Sequence, residues 1–191
     1  MSRLTLRTGE DAPEEARERL AAAEKANGFL PNLLRVLANA PVALETYQTV
    51  SAINARASLP LAEREAVQIT AAAVHGCGFC VAGHTAVARK KAGLADEVVA
   101  ALRAKAPVPD ARLDAVARFT EAVIASRGAV PDAALAAFRA AGFDDRAALE
   151  VVLGVSLATL CNFANNLGQP PLNRELEPYR WEPAPLPVAA E

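Results

Sequence analysis

Residues 59–93 read LPLAEREAVQITAAAVHGCGFCVAGHTAVARKKAG, and this stretch decides the fold. Pro60 suits the start of a helix over residues 61 to 75, because the first helical turn has no use for the N–H that proline lacks. Gly76 interrupts that helix. A second one runs from about Gly78 to Gly93, with Arg89, Lys90 and Lys91 in its last turn, where positive charge suits the helix dipole. No run here or elsewhere alternates with period two for long, so the pattern predicts an all-α fold.

The same stretch carries the chemistry. Glu65, Cys77, Cys80 and His84 bring one carboxylate, two thiols and one imidazole into a window of 20 residues. A thiol is a poor nucleophile until it ionises, and an imidazole backed by a carboxylate gives its proton a route away. The second thiol then captures the oxidised first one as a disulfide. In a helix from Gly78, Cys80 and His84 are four residues apart and Cys77 and His84 seven, which puts all three on one stripe.

Working outward, helix punctuation recurs. Residues 13 to 25 read as a charged amphipathic helix stopped at Asn27-Gly28, and Phe29-Leu30-Pro31-Asn32 opens a short apolar turn through Ala38. Pro41 opens a helix to about Ala57. Shorter helices follow over residues 96 to 104, 110 to 127 and 131 to 142, and Asp144 caps a long one over residues 145 to 167. Residues 169–191 hold six prolines, Tyr179 and the only tryptophan, Trp181, and read as an extended arm rather than a helix. The expected organisation is therefore an N-terminal helix in residues 1–26, a helical domain over 27–168 with the Cys-x-x-Cys site, and a proline-rich C-terminal arm over 169–191.

Composition narrows the partners. Among 191 residues, 20 basic and 22 acidic side chains are interspersed, giving a formal charge of −2 and nothing that favours nucleic acid or an anionic membrane. The residues after Met1 lack a signal peptide's apolar core, and the apolar run from Val151 to Cys161 is shorter than the roughly 20 residues a spanning helix needs. A cytoplasmic protein is expected. In such a compartment a Cys-x-x-Cys is redox-active or metal-binding rather than a structural staple. Aromatics are only 5% of residues and alanine dominates, so closely packed helices, with apolar faces buried in a homo-oligomer, are expected.

The line Glu65-x11-Cys77-x2-Cys80-x3-His84 resembles the alkylhydroperoxidase AhpD core of the carboxymuconolactone decarboxylase-like superfamily. Leu59-Pro60-Leu61-Ala62-Glu63-Arg64-Glu65 and Ala92-Gly93-Leu94 agree with it, and Asn27-Gly28-Phe29-Leu30-Pro31-Asn32, Ala40-Pro41 and Asn162-Phe163-Ala164-Asn165 resemble its peroxidase-related branch. The resemblance covers most of residues 27–168. It implies an AhpD-like helical bundle, generally oligomeric, in which Cys80 attacks a peroxide, Cys77 resolves the product, and His84 with Glu65, through a water, relays the proton. The family's best-known peroxidase has a further histidine immediately before the second cysteine; here Phe79 stands there, as an aromatic does in many peroxidase-related members.

The reaction so implied is a cofactor-free, thiol-dependent hydroperoxide reduction with an external dithiol or thiol-disulfide protein as reductant. Phe79, Phe29, Leu30 and Leu33 are candidates for an apolar pocket favouring organic hydroperoxides. Cys80→Ser is expected to abolish turnover, and Cys77→Ser to stall as a sulfenic acid after one oxidation. Three other readings compete: a redox sensor or adaptor that oxidises once and stops, a zinc site on Cys77, Cys80 and His84 with His75 or Glu65, and a decarboxylating lyase. Elsewhere Cys161 reads as a packing residue, His75 as a capping or exposed one, Asn162, Asn165 and Asn166 as amides closing a helix, and Glu63 as solvent-facing.

Overall fold

Helix α4, Leu61–Val74, is the axis of the molecule: ten of its 14 residues are buried, among them Ala66, Ala71, Ala72 and Ala73. Alanine at these positions lets other helices approach closely on several sides. The computed structural model describes residues 2–183. Around α4, in chain order, stand α1 (Glu14–Asn27), α2 (Asn32–Leu37), α3 (Pro41–Asn54), α5 (Gly78–Lys90), α6 (Asp96–Ala104), α7 (Ala111–Ser126), α8 (Asp132–Ala140) and α9 (Asp145–Gly168). No strand occurs among the described residues, and the fold is all-α as expected.

Helix α4 packs directly on α5, α6, α7 and α9. This divides the interior into two clusters. One joins Val67 and Ile69 to Val99, Leu102, Val116, Phe119, Phe138 and Val151. Its aromatic rings stack, Phe119 on Phe138 at 4.2 Å and Phe138 on Phe143 at 4.4 Å. The other joins Leu20, Leu33, Leu37 and Leu44 to Cys77, Cys80, Val81 and Cys161. The candidate chemistry thus belongs to the second cluster.

The structure corrects several expectations. Glu63 is buried rather than solvent-facing, because the first turn of α4 faces α7, whose Arg112 forms an ion pair with it while lying over the Phe143 ring. Residues 29–38 contain helix α2 rather than a turn. The apolar run from Val151 to Cys161 belongs to α9, which at 24 residues is long and apolar enough to cross a membrane by length and composition alone. Here α9 is a core helix, packed on α2, α3, α4, α5 and α7 and capped as expected by Asp144, which accepts from the Ala147 N–H.

The arm is not extended throughout, since Arg174–Tyr179 forms a 3-10 turn. It is stitched to the body by Asn173, which accepts from the Asn32 N–H and donates to the Leu30 carbonyl. Tyr179 lies beside Arg89 and Lys90, and Trp181 packs on the cluster that contains Cys77 and Cys80 of its own chain. The prolines beyond residue 183 lie outside the described residues.

Candidate active site

The turn between α4 and α5 assembles the site. Gly76, at φ 66°, occupies the left-handed position after α4. The Cys77 N–H reaches back to the Ala72 carbonyl and the Gly76 N–H to Ala73, the paired bonds of a Schellman motif. An L side chain is strained at that φ, which is why glycine stands there. The chain then folds α5 back along α4. Cys77 becomes the N-cap of α5 and Cys80 falls in its first turn, where the positive end of the helix favours a thiolate.

Folding back closes the distance that sequence alone left open, the twelve positions from Glu65 to Cys77. The Glu65 Oε2 and His84 Nδ1 atoms stand 2.8 Å apart. Glu65 is buried, whereas 28% of the His84 side chain remains accessible. With Nδ1 held by the carboxylate, the other imidazole nitrogen is left for chemistry. Burial pulls the His84 pKa down, but the Glu65 charge and hydrogen bond outweigh it and hold it above the usual 6.5.

Both thiols are buried, Cys77 at 1% and Cys80 at 4% accessible, and all three cysteines are free. The Cys80 sulfur accepts from Asn165 Nδ2 at 3.2 Å and lies 3.9 Å from the Cys161 sulfur. Contact with Cys161 and burial push the Cys80 thiol above its ordinary range. Cys77 is pushed up in turn by its hydrogen bond to Cys80 and by burial. Both shifts favour the protonated thiol over the thiolate.

Cys80 and His84 line one cavity of about 500 Å³ with Phe29, Leu33, Tyr47 and Phe79. Of the residues expected to form an apolar pocket, Leu30 is the exception. It lines a separate depression with Thr8, Glu24 and Arg35, because the chain turns at Pro31 between Phe29 and Leu33. Cys77 opens on a different cavity of about 330 Å³, beside Asn165 and Asn166. Among the described residues no group of three or more His, Cys, Asp and Glu side chains is placed to hold a metal ion.

Helix α9 contributes more than the sequence reading assigned to it. Asn162 Oδ1 meets His75 Nδ1 at 3.0 Å, Asn165 reaches Cys80, and Asn166 donates to the His75 carbonyl. These amides grip the α4–α5 turn across the helix interface instead of closing their own helix, and His75 is the C-cap of α4, the capping role expected of it, with its ring held by Asn162. The signal was present as three asparagines at i, i+3 and i+4, one face of a helix. Cys161 is packed, as expected, but against the Cys80 sulfur itself. Tyr47, passed over in the sequence, lines the cavity too.

The profile of the carboxymuconolactone decarboxylase family matches residues 41–142, more than half of the chain and all four residues of the Glu65, Cys77, Cys80, His84 line. The chain belongs to this family. Among solved structures, a peroxidase-related protein with the alkylhydroperoxidase AhpD core from Ralstonia eutropha is 25% identical, with a TM-score of 0.81, covering 92% of this chain and 94% of the other. A peroxidase-related protein from Silicibacter is 20% identical, at TM-score 0.78 over 92% and 93% of the two chains. The debrominase Bmp8 shares the fold at 17% identity and TM-score 0.74, over 93% and 95%. No curated protein matches the chain.

Proposed function

We propose that the chain is a dithiol peroxidase that reduces organic hydroperoxides, in a reducing compartment such as the cytoplasm. The observation that carries the reading is the Glu65–His84 pair at 2.8 Å on the wall of the cavity into which Cys80 opens. His84, freed of its own proton, takes the Cys80 proton through one water. The resulting thiolate attacks the peroxide O–O bond; one oxygen stays on Cys80 as a sulfenic acid, and the other leaves as an alcohol carrying the proton from His84. The Cys77 thiol then condenses with the sulfenic acid, forming the disulfide and releasing water. An external dithiol reduces the disulfide by exchange.

Two features support an organic substrate. The cavity walls carry Phe29, Leu33, Phe79 and Val87, and the name of the Ralstonia relative points to peroxide chemistry on the same scaffold. A peroxide with an apolar body gains from burying that body there. Incubating reduced protein with cumene hydroperoxide tests the reading: one equivalent of peroxide is expected to disappear as two thiols are lost, and Cys80→Ser to consume none. Multiple turnover in Cys80→Ser would overturn the role of Cys80. Oxidation that halts after one equivalent, with every dithiol supplied, would assign the pair to sensing.

A further inference from the structure

Three sulfurs, not two, meet at this site. Cys80 is in contact with Cys77 on one side and stands 3.9 Å from Cys161 on the other. We infer that Cys161 is a second resolving thiol, able to close a Cys80–Cys161 disulfide between α5 and α9. The inference rests on the peroxide-reducing reading above and deepens it.

Three observations support it. The first is orientation: Cys161 donates its S–H to the Ala158 carbonyl at 3.4 Å and accepts from Cys80, so a sulfur lone pair already faces the atom it would attack. The second is location. Cys80 and Cys161 line the same cavity, whereas Cys77 opens on the other one, so a peroxide entering beside His84 leaves its oxygen on the Cys161 side of Cys80. The third is burial, since Cys161 is only 2% accessible, which shields it from an external disulfide partner while its sulfur stands in contact with Cys80.

The step balances without a further oxidant. The Cys161 sulfur attacks the Cys80 sulfenic sulfur, the S–S bond forms as the S–O bond breaks, and the Cys161 proton leaves with the sulfenic hydroxyl as water. Bond formation needs the sulfurs to close from 3.9 Å to about 2.05 Å, a movement of about 2 Å. Cys77 can then attack the Cys80 sulfur of this disulfide. That exchange returns Cys161 to a thiol and leaves the Cys77–Cys80 disulfide facing the second cavity, with no net change in redox state.

The inference alters the expectation for Cys77→Ser, which on the family pattern stalls as a sulfenic acid. Here that variant, given one equivalent of cumene hydroperoxide with dimedone present, is expected to lose dimedone labelling and yield a Cys80–Cys161 cross-link on peptide mapping. Removing Cys161 as well is expected to restore full labelling of Cys80. Equal labelling of Cys80 with and without Cys161 would overturn the inference while leaving the peroxidase reading intact. A wild-type Cys80 that takes no oxygen from peroxide would overturn that reading instead. Cys77→Ala provides the same comparison should the serine variant not fold, and mapping of briefly oxidised wild-type chain for the same cross-link requires no substitution.

Discussion

His84 sits under two opposed influences, and the balance between them sets how its contribution to stability and, on the proposed mechanism, to rate varies with pH. Burial favours the neutral imidazole; the Glu65 charge and hydrogen bond favour the cation and prevail, so the folded pKa exceeds the ordinary 6.5. A group with a raised folded pKa stabilises the fold fully below its unfolded value and loses that contribution as pH climbs through the folded one. On the proposed mechanism the same titration gates the chemistry, because His84 must be unprotonated to accept the Cys80 proton. The rate of Cys80 oxidation is therefore expected to rise with pH across a midpoint above 6.5. Glu65→Gln removes the two largest raising influences and leaves burial opposed only by the weaker one from Cys77, so the midpoint is expected to fall, with the plateau lower by on the order of 10²-fold as the imidazole loses its orientation. Stopped-flow rates across pH check this, and an unmoved midpoint would give the profile to another group.

At the scale of elements, the approach of α4 and α9 is set at Gly154. A Cβ there would stand 2.9 Å from Val67 Cγ1, and Val67 is buried and stiff at χ1. Gly154→Val is expected to cost about 2–3 kcal/mol by overpacking. Gly83 in α5 has nothing within 4 Å of its Cβ position, so Gly83→Ala is expected to gain about 0.5–1 kcal/mol. Denaturant midpoints of both variants check the opposite signs; a loss in both would make helix breaking by glycine the wrong account. The helices themselves were legible because proline, glycine and Asp144 punctuate the chain locally, and the starts at Pro41 and after Pro60 follow from this. The Glu65, Cys77, Cys80 and His84 line was legible as spacing. What the sequence withheld were contacts between distant segments. Arg112 lies 49 residues from Glu63 with no local pattern to announce it, and Asn165 lies 85 from Cys80, so its asparagine face was visible but its partner was not. Leu30 was misplaced for the converse reason, since neighbours in sequence part company when a turn intervenes.

The whole molecule leaves one side of α9 uncovered. Leu149, Val152, Phe163 and Leu167 are 70%, 43%, 56% and 59% accessible and share one stripe, each within about 60° of the next at 100° per residue. Apolar area of this kind on a helix already packed along its other face suits a second copy of the chain. Sedimentation is expected to show an oligomer that Leu149→Glu weakens; a wild-type monomer at every concentration would remove the homo-oligomer from the account. The arm has a different consequence. It carries Trp181 over the start of α5, where the Trp181 carbonyl oxygen would lie 2.6 Å from any Cβ at Gly78, and seats the indole on the cysteine cluster. Trp181 is the only tryptophan in the chain. Thiols and disulfides quench indole emission to different extents, so if Cys77 and Cys80 join on oxidation, the fluorescence of this single ring is expected to change with them, an optical gauge built into the fold.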